Sequence, residues 1–146
     1  MTLKIFLLGQ FNLRVDDRSL VLPSRTAQSL LAYLVLNASV AHRREILAAL
    51  LWPGATDSNA RGYLRQALWR IRKAFAGSPL TWQEYLHIND ITITFDAKSD
   101  YWLDASMLLQ TATNASTEEI MAIVNLYGGE LLPGFYEDWI IIRSNL

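Results

Sequence analysis

Asn59-Ala60-Arg61-Gly62-Tyr63-Leu64-Arg65-Gln66-Ala67-Leu68-Trp69-Arg70-Ile71-Arg72-Lys73-Ala74-Phe75 is the stretch on which the fold of this chain turns. Set at about 100° per residue, its side chains divide into two arcs. Ala60, Leu64, Ala67, Leu68, Ile71, Ala74 and Phe75 fill one arc, which is core. Asn59, Arg61, Arg65, Gln66, Trp69, Arg70, Arg72 and Lys73 fill the other, and no acidic residue interrupts them after Asp57. With Thr56 or Asp57 as the N-cap and Gly77-Ser78-Pro79 as the stop, the pattern predicts a helix over about 57–75.

A solvated helix face usually mixes charges, because Glu four residues before Lys or Arg adds stability. Here Arg61 and Arg65 are like charges one turn apart, a repulsion of a few tenths of a kcal/mol that phosphates would relieve. Guanidinium and amide groups suit major-groove readout, Arg gripping guanine and Asn or Gln gripping adenine. Asn59, Arg61, Arg65, Gln66, Trp69 and Arg72 are the candidate base readers. Ser58, Arg70 and Lys73 are candidates for phosphate contact. Gly62 costs about 1 kcal/mol against Ala in mid-helix, a cost consistent with close approach of a sugar-phosphate strand.

Outward from this helix, Leu3–Leu8, Phe11–Val15 and Leu20–Leu22 read as two or three short antiparallel strands. Ser24 caps a helix reaching about Asn37 with Ala27, Leu30, Leu31 and Leu34 inward. A second helix is expected from Arg43 to Leu51, burying Ile46, Leu47, Leu50 and Leu51, and Trp52-Pro53-Gly54 stops it. Arg43 and Arg44 at its start, and Arg25 at the start of the first helix, sit where backbone N–H groups also favour phosphate. Tyr85–Ile88 and Ile91–Phe95, joined at Asn89-Asp90, form a hairpin whose tip carries no Arg or Lys.

The order of strands, three helices and hairpin is an α+β winged helix-turn-helix with an N-terminal antiparallel β-sheet and a C-terminal β-hairpin wing. The expected division is 1–96 as this unit and 97–146 as a short all-α segment. That segment opens with an apolar stretch, Tyr101–Leu109, and contains a capping box at Ser116 and Glu119. Its last apolar run, Trp139-Ile140-Ile141-Ile142, has little left to pack against, which points to a chain cut from a longer protein or to a partner there.

The whole chain has 146 residues, 51% hydrophobic and 18% charged, which fits one full domain, or one plus part of another. Without cysteine it can hold neither a disulfide framework nor a thiolate zinc site. The net charge of −1 hides a split: 11 basic against 4 acidic residues through Phe75, then 2 against 10 from Ala76. One half thus suits a polyanion. Thr26–His42 is the longest stretch free of charged residues, and Gln28, Ser29, Asn37 and Ser39 break it, so no membrane span is expected.

No cofactor, metal or catalytic centre is expected either. His42 and His87 fall in different elements, His42 as a cap or phosphate contact and His87 on a strand of the wing. Ser24, Ser58 and Ser116 stand at cap positions, and neither a nucleophile elbow nor a nucleotide-cradling glycine loop is present. The competing reading is a winged-helix protein-interaction module that binds no DNA.

The chain resembles the SARP-type transcriptional activators, whose N-terminal domain is similar to that of OmpR-like regulators. The resemblance rests on Leu3-Lys4-Ile5-Phe6-Leu7-Leu8-Gly9, on Leu50-Leu51-Trp52-Pro53, and on the third helix. It extends to Tyr127-Gly128-Gly129-Glu130-Leu131-Leu132-Pro133-Gly134-Phe135 with Glu137-Asp138-Trp139, which looks like the start of a bacterial transcriptional activator domain. It implies a bacterial cytoplasmic activator that binds repeated sites on double-stranded promoter DNA in more than one copy and recruits RNA polymerase. The polymerase contact it implies is the loop of Trp52, Pro53, Gly54, Ala55 and Thr56.

Overall fold

The computed structural model describes residues 1–106. The expected capping box at Ser116, the 127–139 motif and the final apolar run lie outside the described residues. In chain order the elements are β1 (Leu3–Phe6), β2 (Asn12–Val15), β3 (Arg18–Leu20), α1 (Arg25–Leu36), β4 (His42–Arg43), α2 (Arg44–Leu51), α3 (Asp57–Ala76), a 3-10 turn (Trp82–Glu84), β5 (Leu86–Ile88), β6 (Thr92–Phe95) and β7 (Tyr101–Leu103). They form two compact units, one that takes in residues 1–19 and β7, the other spanning Leu20–Asp100.

In the first unit, alternation along β1 and β2 buries Leu3, Ile5, Leu13 and Val15 on one side of an antiparallel pair, Leu3 opposite Val15 and Ile5 opposite Leu13. The turn into β3 places Asp16 at φ +52, a left-handed conformation that a short polar side chain tolerates. The sheet runs β3-β2-β1-β7 and is mixed, not purely antiparallel as expected, because β7 lies parallel to β1 with Leu3 opposite Tyr101 and Ile5 opposite Leu103. Tyr101-Trp102-Leu103 is therefore strand at the head of the stretch read as the opening of a helical segment. Asp104 fastens it. Its carboxylate accepts the Leu7 N–H at 3.0 Å and the Leu8 N–H at 3.0 Å, taking up donors that follow the end of β1.

In the second unit, Ser24 caps α1, its hydroxyl accepting the Ala27 N–H, and the helix buries Leu30, Leu31 and Leu34. Leu64, Leu68, Ile71 and Phe75 of α3 join this core, where Phe75 stacks on the buried Tyr85 at 5.5 Å between ring centroids. The Tyr85 hydroxyl donates to the Asp100 carbonyl at 2.9 Å, so burial of the ring leaves no orphaned polar group. The hairpin pairs Leu86 with Phe95 and Ile88 with Ile93, and β4 adds a third strand that the sequence reading lacks, His42 opposite Ile93. The second helix also differs from expectation: Leu47 and Ala48 are buried, Leu50 and Leu51 are not fully buried, and Ile46 is 59% exposed. Eight residues make little more than two turns, so one narrow stripe meets the core and Ile46, about 100° from Leu47, lies off it.

Asp104→Ala should destabilise the fold by about 1–3 kcal/mol, because it strands the Leu7 and Leu8 N–H groups, while Asp104→Asn keeps an acceptor and should lose less. Burial pushes the Asp104 carboxyl above its ordinary value, against the opposing pull of the Leu7 and Leu8 amides. A folded value above the unfolded one makes the acid's contribution greatest at low pH and smaller as pH rises through the raised value. Thermal denaturation of the native chain and of the Asp104→Asn variant should therefore differ most in the native chain's favour in acid, and a gap that widens with rising pH contradicts the assignment.

Candidate nucleic-acid interface

The interface is built on α3. Thr56 caps it, its hydroxyl accepting the Asn59 N–H at 3.2 Å, and Asp57 lies in the first turn, favourable to the helix dipole. All seven residues read as its core arc are buried: Ala60, Leu64, Ala67, Leu68, Ile71, Ala74 and Phe75. The opposite arc follows from that register. Ser58, Asn59, Arg61, Arg65, Gln66, Trp69 and Lys73 are exposed, and Arg70 and Arg72 are half-buried.

At its N-terminal end α3 forms a cleft of about 450 Å³ with the start of α2 and the hairpin tip, lined by Arg43, Arg44, Arg61, Arg65, Glu45 and Asp90 among others. Four arginines from two helices and the strand β4 thus converge. Arg43 is paired with Glu45 at 3.0 Å, both side chains well exposed, a contact worth little in water. Arg61 and Arg65 make no ion pair among the described residues. Arg44 holds the hairpin tip: its backbone N–H donates to the Ile91 carbonyl at 2.8 Å and its Nη1 to the Asn89 carbonyl at 3.1 Å. Asn89 closes the tip from within, its Oδ1 accepting the N–H groups of Ile91 and Thr92 at 2.8 and 2.7 Å. The tip is tied down on both sides, and it presents Ile91 62% exposed at the cleft rim.

Other expected residues fall elsewhere. Arg25, exposed at the start of α1, does not line this cleft. Trp52 closes α2 and meets Tyr63 at 5.9 Å between ring centroids, while Pro53 and Gly54 stand exposed in the loop and Ala55 donates its N–H to the Trp52 carbonyl. Trp69, Arg72 and Lys73 gather at the far end of α3, where Lys73 lies over the Trp69 ring at 4.8 Å and Arg72 over the Trp82 ring at 4.7 Å. His42 takes a structural place, its Nε2 3.3 Å from the Asn37 carbonyl and its ring against Tyr33. His87 stands on β5 as expected, 3.1 Å from Asp96. Glu45, Asp90, Ile91 and Trp82 are absent from the sequence-derived site. Glu45 was open to notice beside Arg43 and Arg44, but the hairpin tip and Trp82 reach α3 only through tertiary packing.

A solved structure of EmbR from Mycobacterium tuberculosis, in complex with a low-affinity phosphopeptide, matches 98% of this chain with a TM-score of 0.67 at 17% sequence identity. The likeness is one of fold, and the three helices with their following hairpin are compatible with a winged helix. The match takes in 41% of the EmbR chain, so this chain spans about two fifths of that protein's length. No protein-family model and no curated protein sequence matches it. Among the described residues no helix is long and apolar enough to cross a membrane.

Gly62 faces outward on α3, and a Cβ built there meets only the Arg65 Nη2 at 4.0 Å. Gly62→Ala should thus raise stability by about 1 kcal/mol, seen as a higher denaturation midpoint. If a phosphodiester strand runs against this turn, the same variant weakens duplex binding. Unchanged binding removes Gly62 from the interface.

Proposed function

We propose that the chain is the DNA-binding part of a transcriptional activator that reads double-stranded promoter DNA through the major groove with α3. The observation that carries this reading is the outward arc of α3, where Arg61 and Arg65 stand exposed and make no ion pair among the described residues, on a helix whose opposite side is core. Asn59, Arg61, Arg65 and Gln66, in its first three turns, have the chemistry to read base edges. Arg25, Arg43, Ser58 and Arg70 take phosphates and set the register of the protein on the duplex. Arg44, expected to bind phosphate, lines the same cleft and braces the wing. Trp69, Arg72 and Lys73, at the C-terminal end of the helix and engaged with one another and with Trp82, play a lesser part in reading.

Residues 1–96 form the DNA-binding unit in this reading, and 97–146 begin an activator domain. The Trp52–Thr56 loop contacts RNA polymerase, in keeping with its exposed Pro53 and Gly54. Copies of the protein occupy repeated sites in the cytoplasm of a bacterium.

Duplex binding should fall steeply with salt, by about 0.9 log units per phosphate contact for each decade of concentration. Arg65→Ala should relax base preference at one position by about 1–3 kcal/mol, whereas Arg43→Ala should weaken all sequences alike and flatten the salt slope by about one contact. Titrations of a fluorescent duplex at several salt concentrations measure both. Absence of duplex binding at low salt defeats the proposal and favours a protein-interaction module.

A further inference from the structure

The C-terminal end of α3 carries a second groove, of about 500 Å³, between the helix and the 3-10 turn. Trp69, Arg72 and Lys73 line it from α3, and Leu80, Trp82 and Gln83 from the segment that follows. Its chemistry differs from that of the first cleft. Glu45 and Asp90 line the first, whereas no acidic side chain among the described residues lines the second. Both of its cations rest on aromatic faces in place of carboxylates, Arg72 on Trp82 and Lys73 on Trp69. Such contacts are worth about 0.5–1 kcal/mol at exposed sites and leave the N–H donors free to bind an anion. The Arg72 Nε is buried and has no hydrogen-bond acceptor. Beside these cations lies apolar surface: Trp69 is 54% exposed, and the buried Phe75 and Leu80 also line the groove.

We propose that this groove docks an acidic peptide segment of a partner protein, its carboxylates on Arg72 and Lys73 and an apolar anchor residue against Trp69 and Trp82. Charge complementarity sets the sign of the partner, and the exposed indole surface sets its second requirement. A duplex backbone meets the first requirement but the second poorly, since its deoxyribose C–H groups are small and flanked by phosphates and its bases are stacked inside the helix. A peptide with both side-chain types meets the two together, and exposed aromatic and Arg side chains are the residues on which interfaces concentrate their energy. Arg61 and Arg72 are eleven positions apart, about 16 Å along the helix axis. A major groove is about 12 Å wide, so the N-terminal half of α3 can engage DNA while the groove holds its peptide.

The test uses the full chain and three fluorescein-labelled peptides of equal length: Glu-rich with central Leu and Phe, Glu-rich with Ser in their place, and Lys-rich with the same Leu and Phe. Anisotropy should show the first binding at least about tenfold more tightly than either of the others. Gln83→Glu sets a negative charge in the groove at an exposed position, and Trp82→Ala removes one aromatic wall. Each should weaken the first peptide by roughly tenfold or more, the loss expected of a central interface contact, and leave duplex affinity unchanged. Arg65→Ala should do the reverse. The proposal is overturned if the first peptide fails to bind at millimolar concentration, if it binds Gln83→Glu as tightly as the native chain, or if duplex displaces it competitively, which would make the groove part of the nucleic-acid surface.

Discussion

Burial of one stripe of α3 governs everything else in the second unit. Leu64, Leu68, Ile71 and Phe75 are each nearly inaccessible to water, and each such side chain contributes about 1.5–3 kcal/mol on leaving it. The repulsion between Arg61 and Arg65 amounts to a few tenths of a kcal/mol, and Gly62 costs about 1 kcal/mol. The core therefore dictates the rotation of the helix, and the cationic arc follows as a consequence, held outward whether or not it is occupied. Phe75 extends the same logic to the hairpin through its stack on Tyr85, which fixes the wing to the C-terminal end of α3.

Helix α3 is legible in the sequence because its period is local: positions three and four apart define both faces, and the cap Thr56 announces the start. The same holds for Ser24 and α1, and for the alternation in β1, β2 and the hairpin. What escapes a reading of the sequence depends on partners far along the chain. β4 is two residues long, too short to show a period, and exists only because His42 and Arg43 meet β6. β7 belongs to a sheet begun almost a hundred residues earlier, and the carboxylate of Asp104 that secures it looks, in sequence, like one acid in an apolar run. Short helices mislead for the opposite reason. Ile46 fits an apolar pattern in α2, but two turns present too narrow a stripe to bury every member.

The candidate site shows the same division. The exposed and buried faces of α3 can be written down from residue spacing, so Asn59, Arg61, Arg65 and Gln66 stand where expected. Their surroundings cannot. Asp90 reaches the arginine cleft on a turn closed by Asn89 and pinned by Arg44, and Trp82 reaches Arg72 from a 3-10 turn with no periodic signature. These neighbours divide the helix into two chemical regions, an N-terminal one rich in arginine and edged by Glu45 and Asp90, and a C-terminal one in which cations lie on indoles. Charge counting along the sequence merges the two.

The outward arc of α3 is the surface proposed to meet a duplex. An NMR titration of the full chain with a short duplex at low salt tests it directly, following backbone amides together with arginine side-chain Nε–H signals. The largest shifts should fall on Asn59, Arg61, Arg65 and Gln66, with Arg43 and the hairpin tip next. Shifts confined to other elements, with the Arg61 and Arg65 side chains unmoved at saturation, would contradict it.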